Sequence, residues 1–173
     1  MTNHADIAVT VQSGDWDARV PGGQDLCRRA ADAAVREGAH GLDGRAVELA
    51  VVLADDDFVR TLNRTYRHQD KPTNVLSFPS GFLAGGSGDP GHGALALGDV
   101  VIALSTLCRE AADQGKPIQD HLAHLVVHGV LHLLGYDHDE ETEAQAMEAL
   151  ETRLLAGLGV ADPYGGERAR VRA

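Results

Sequence analysis

Three histidines fall within eleven residues, in the run His128-Gly129-Val130-Leu131-His132-Leu133-Leu134-Gly135-Tyr136-Asp137-His138. Histidines four apart on a helix project from one face, with their Cβ atoms about 5 to 6 Å apart. From there two imidazoles can reach one metal ion at roughly 2.0 to 2.1 Å. A third ligand cannot come from the next turn of a straight helix, so the chain must turn back. Gly135 offers that turn, because glycine takes the left-handed conformation that ends helices, and His138 then comes to the open side of the ion. Three neutral nitrogen donors leave a fourth tetrahedral position for water, the arrangement of a catalytic rather than a structural zinc. Such an ion lowers the pKa of its water towards about 7 and polarises a phosphoryl or carbonyl oxygen.

His124 lies on the same face as His128 and His132. It would stand about 12 Å from His132 along the axis, too far for one ion to bind both. His124 is therefore expected to pack or to support a ligand, and His121 to face solvent. A lone histidine in a leucine-rich helix is most often a satisfied core residue. Three of them, with a glycine break where the geometry demands one, point to a metal site holding one Zn2+ per chain. Zinc is the first choice of metal, although three imidazoles also suit nickel, copper or iron.

The elements that must position these groups can be read from apolar rhythm and breakers. Ile7–Val11, Val47–Leu53, Val75–Phe78 and Leu97–Ala103 read as four strands. Leu26–Glu37 reads as a helix stopped by Gly38. Asp55-Asp56-Asp57 can cap a helix running to Arg67, with Phe58, Leu62 and Tyr66 as its apolar face. Ser105 is the expected N-cap of a helix to Gln114, and Pro117 opens the long histidine helix. Asp139 is expected to cap a last helix whose buried stripe is Met147, Leu150, Leu154 and Leu158. Gly81 to Gly93 reads as a flexible loop, and residues 166–173 as a disordered tail after a single domain over 1–165. The expected class is α+β, a small mixed sheet of about four strands packed against about five helices.

Composition narrows the function classes. The 173 residues are 43% hydrophobic and 24% charged, ordinary for one soluble domain, and carry a formal net charge of -11. That balance argues against broad adhesion to phosphate backbones, yet leaves room for a local basic groove. Two widely separated cysteines, Cys27 and Cys108, make a disulfide framework unlike this chain. No secretory signal and no membrane span is visible, so the cytoplasm is the expected location.

The histidine spacing matches the metzincin peptidases, which place a glutamate general base directly after the first histidine. Gly129 stands there instead, and a peptidase would lack its usual proton acceptor. The whole segment resembles the YbeY family of bacterial endoribonucleases. So do Leu62-Asn63-Arg64-Thr65-Tyr66-Arg67, the run Asp70-Lys71-Pro72-Thr73-Asn74-Val75-Leu76-Ser77-Phe78-Pro79, the strand Leu97-Gly98-Asp99-Val100-Val101-Ile102, and Asp162-Pro163-Tyr164. The resemblance covers roughly residues 45 to 165; the 81–93 loop looks longer than the family usually has.

The resemblance implies a zinc-dependent, single-strand-specific endoribonuclease that matures ribosomal RNA near the small-subunit 3′ end and serves ribosome assembly and quality control. It implies His128, His132 and His138 as ligands and Arg67 as the functionally important arginine. A guanidinium suits that role, because its planar, permanent charge matches the oxygens of a phosphodiester nearing its transition state. Lys71 and Asn74 are candidates for substrate contact, and Asp99 for orienting ligands. His68 and His92 receive no role. The implied partners are precursor rRNA and the small ribosomal subunit with its proteins, bound by a monomer and without a membrane. The rival class is a non-catalytic assembly factor whose zinc is structural; a metallopeptidase ranks third.

Overall fold

In the computed structural model, residues 4–40, 42, 44–80, 94–137 and 139–165 are described. The expected 81–93 loop, His92, His138 and the 166–173 tail lie outside them.

The elements in chain order are β1 (Ala5–Val11), α1 (Trp16–Arg19), α2 (Gly23–Gly38), β2 (Val47–Ala54), α3 (Asp56–Arg67), β3 (Val75–Pro79), β4 (Leu95–Ala103), α4 (Leu104–Gln114), α5 (Ile118–Leu133) and α6 (Glu141–Gly157). The class is α+β. Among the described residues, four strands form one mixed sheet in the order β1-β2-β4-β3, parallel between β1, β2 and β4 and antiparallel between β4 and β3. Side chains alternate across a strand, so each strand feeds two faces. Val51, Val100 and Ile102 join the larger core with α2, α5 and α6. Ala54, Leu76, Phe78, Val101 and Ala103 form a smaller core under α3, packed by Phe58, Leu62 and Tyr66.

Local chemistry accounts for most element ends. Asp55 is the N-cap of α3 and its Oδ1 accepts the amide N–H of Phe58 at 2.8 Å. At α4 the expected cap by Ser105 is not the one used. The helix begins two residues earlier, at Leu104 with Ala103 as its N-cap, and Asp56 on α3 reaches across to accept the Thr106 amide at 3.0 Å and the Thr106 hydroxyl at 2.7 Å. A tertiary carboxylate thus takes over the task expected of the local Ser105 hydroxyl. The α6 N-cap is Glu140, not Asp139, and it makes no side-chain cap bond. Helix α1 was not anticipated; its four residues are anchored by buried Trp16, whose indole N–H donates to the Ala54 carbonyl at 3.2 Å.

Helix α5 is the structural centre of the molecule. It packs against α2, α4, α6, β3 and β4, so it is surrounded rather than merely half-buried. Its close seat on the sheet depends on Gly129. A Cβ there would lie 2.6 Å from Val100 Cγ1 and 3.2 Å from Ser77 Oγ. Alanine at 129 gains helix propensity of about 1 kcal/mol. Overpacking against the stiff, fully buried valine costs about 1–3 kcal/mol. Gly129→Ala is therefore expected to melt several degrees below the wild type, and an equal or higher melting temperature would contradict this packing.

Among the described residues, no helix is long and apolar enough to cross a membrane. Both cysteines are free; burial pushes the Cys27 thiol pKa up to about 12, which leaves it inert.

Candidate active site

Helix α5 carries His121, His124 and His128 down one side, with His132 in its last turn. It stops as the sequence implies. Gly135 has φ +99°, its N–H donates to the His132 carbonyl, and the Tyr136 N–H donates to the Leu131 carbonyl, both at 3.0 Å. That pair of bonds is a Schellman motif, which closes the helix and redirects the chain just after His132.

His128 and His132 converge. Their Nε2 atoms are 3.0 Å apart and their ring centroids 4.5 Å. The other nitrogen of His128, Nδ1, lies 2.7 Å from Oε1 of Glu151 on α6. A carboxylate accepts and an imidazole N–H donates, so the proton of neutral His128 sits on Nδ1 and Nε2 carries a lone pair. That lone pair faces Nε2 of His132. The pair can share a proton, or both can offer lone pairs to one cation, and a site of this donor chemistry fits zinc.

Glu151 is fully buried. Its Oε2 accepts from Nε2 of His124 at 3.0 Å and from the Tyr164 hydroxyl. Burial pushes its pKa up, but hydrogen bonds from His124, His128 and Tyr164 outweigh that and hold it at about 2, so the group is a carboxylate at neutral pH. His124, His128 and Glu151 form a group whose donor atoms lie within 4.8 Å of one another and which could itself hold a metal ion. Glu151 escaped the sequence reading, although a signal was present. It falls inside the apolar stripe of Met147, Leu150 and Leu154, where an acidic residue on a buried face calls for a partner.

His121 corrects an expectation. It is 3% exposed rather than solvent-facing, and its Nε2–H donates to Glu110 on α4 at 3.0 Å. Burial lowers its pKa against the opposing pull of Glu110. The expectation failed because α4 covers that side of α5.

A groove of about 580 Å³ runs beside His128 and His132 and is lined also by Asn63, Arg67, Lys71 and Ser77. Arg67 ends α3. Its Nη2 donates to the Ser77 carbonyl at 2.9 Å and its guanidinium carbon lies 5.6 Å from the centroid of Phe78, which aims an exposed cation along the groove wall. Asn63 ties down the following turn by donating to the Lys71 carbonyl at 2.8 Å. Arg67 and Lys71, far from the histidines in sequence, thus share a groove with two of them. Asn74 lies in a neighbouring depression, which His128 also lines together with His121, His124 and Tyr164, and its amide donates to Glu110 at 3.0 Å.

Asp99 lies elsewhere. It pairs with Phe78 across the antiparallel β3–β4 ladder, and directly opposed residues share a face. Phe78 belongs to the α3 side, whereas Ser77 and Val100 meet Gly129 on the α5 side. The sheet therefore separates Asp99 from the histidines, and the ligand-orienting role expected of it finds no support in its position. Burial raises its carboxyl pKa.

The comparisons with known proteins agree with this architecture. The family model described as Endoribonuclease YbeY matches residues 19–159. The chain belongs to the YbeY family. The YbeY endoribonuclease of Paramagnetospirillum magneticum is 52% identical over 95% of this chain and 99% of its own length. That of Sinorhizobium medicae is 49% identical over 92% and 95%. The solution structure of TM1509 from Thermotoga maritima has the same fold, with a TM-score of 0.53 at 20% identity, covering 95% of this chain and 93% of that one. Membership in YbeY supports a nuclease that hydrolyses RNA. The position of Gly129 argues against a peptidase: a side chain there points into the sheet at Val100, so a peptidase-type glutamate would have no room to face the groove.

Proposed function

We propose that this chain is a zinc-dependent, single-strand-specific endoribonuclease that matures the 3′ end of small-subunit ribosomal RNA and acts in ribosome assembly and quality control in the cytoplasm. The observation that carries the reading is the convergence of His128 and His132 through Nε2, 3.0 Å apart, in the groove that also holds Arg67. His128, His132 and, from its sequence spacing, His138 would hold the ion. Zinc bound to them would supply a Lewis acid for a phosphoryl oxygen.

The rest of the chemistry belongs to the chain. Among the described residues Arg67 commits one of its five N–H donors, to Ser77, which fixes the fork and leaves others for the non-bridging oxygens of a phosphodiester. Lys71 adds a second positive charge in the same groove. These two supply the local basic surface that a chain with net charge -11 needs to hold RNA. The acidic remainder suits docking on the basic proteins of the small subunit.

Mapping of rRNA ends in a strain depleted of its own enzyme tests this reading. Wild-type protein should restore mature 3′ ends, whereas Arg67→Ala should leave precursor. Mature ends with Arg67→Ala would favour the rival reading of a non-catalytic assembly factor.

A further inference from the structure

Glu151 does more than satisfy polar atoms. A carboxylate sealed inside an apolar helix interface is costly unless every oxygen is paired. Here Oε1 takes the Nδ1–H of His128, while Oε2 takes Nε2–H of His124 and the hydroxyl of Tyr164. Tyr164 is itself held, since its backbone N–H donates to Asp162 Oδ1 at 2.9 Å and that carboxylate also accepts from Thr152 at 3.3 Å. The segment after α6 folds back over the buried acid and completes its shell.

We infer that Glu151 is the positioning residue of His128. It holds the ring by Nδ1 and fixes the tautomer that turns the Nε2 lone pair towards His132, with His124 and Tyr164 clamping the carboxylate in place. The inference rests on the metal reading above and assigns the role of a group outside the three histidines. It also gives Asp162-Pro163-Tyr164, about 30 residues after His132, a physical task at the site.

The test measures zinc affinity by chelator competition in wild type, Glu151→Gln, Tyr164→Phe, His124→Ala and His132→Ala, with folding checked by circular dichroism. Nitrogen NMR reads the His128 ring in the metal-free wild type. Glutamine keeps the size of Glu151 but offers His128 a donor as readily as an acceptor, so the tautomer is no longer selected. The expected result is a dissociation constant raised about 10- to 100-fold in Glu151→Gln, a smaller rise in Tyr164→Phe, and a proton on Nδ1 of His128 in the wild type. A folded Glu151→Gln with wild-type affinity would overturn the inference, as would a wild-type His128 protonated at Nε2. If Glu151→Gln does not fold, the wild-type tautomer and the Tyr164→Phe affinity decide. Binding abolished by His124→Ala but untouched by His132→Ala would make Glu151 a ligand of an ion among His124, His128 and Glu151, and would also overturn it. A wild type that binds no zinc at all would instead remove the metal reading beneath it.

Discussion

Purified Arg67→Ala protein is expected to cleave single-stranded RNA about 10²- to 10³-fold more slowly than the wild type, the usual loss when one preorganised donor to a transition-state charge is removed. Its fold and zinc content should be unchanged. Arg67 is exposed at the end of α3, and among the described residues its contacts are one bond to a backbone carbonyl and the face of Phe78. The Phe78 ring keeps its edge contact with Tyr66, so the small core beneath α3 stays closed. Lysine at 67 should recover only part of the rate, because an ammonium restores charge without the planar fork. Parallel measurement of initial cleavage rates and zinc content separates the outcomes. Wild-type rates in Arg67→Ala would show that the guanidinium takes no part in the reaction.

The second large effect is expected at His132. Alanine there should weaken zinc binding by more than about 100-fold, beyond what loss of an outer partner costs, and abolish cleavage with it. His132 is a cleaner probe than His128. Replacing His128 would also remove a donor from the buried Glu151 and destabilise the α5–α6 interface through an incompletely paired charge. His132→Ala leaves the Glu151 shell whole, so metal-free wild type and variant should unfold at similar temperatures. Calorimetric zinc titration with the same RNA assay checks both halves. Undiminished zinc affinity in this variant would place the ion elsewhere.

Much of this architecture was legible from local chemistry. Asp55 caps α3 as its side chain and position require, and Gly135 ends α5 through the left-handed turn that only glycine takes freely. The strand runs were visible as β-branched segments, and the His128–His132 pair as a four-residue spacing. What escaped depends on contacts distant in sequence. Glu151 meets His128 from 23 positions away, through the packing of α6 on α5. His121 is buried because α4 closes over it, and no periodicity within α5 announces that neighbour. Asp56 replaces Ser105 as the cap of α4 because α3 and α4 lie side by side, a fact of tertiary structure. The short helix α1 has too few residues to show a period and exists because Trp16 reaches Ala54. The place of Asp99 follows from a simpler rule: strand alternation sets its face, and a one-residue difference from Val100 moves a side chain across the sheet.

The most direct measurement is cleavage of an end-labelled single-stranded RNA by protein dialysed against a chelator, with and without one equivalent of added Zn2+. The metal-depleted protein should be inactive, and zinc should restore cleavage to the wild type but not to His132→Ala. Undiminished cleavage by metal-free protein would contradict a catalytic centre built on His128 and His132.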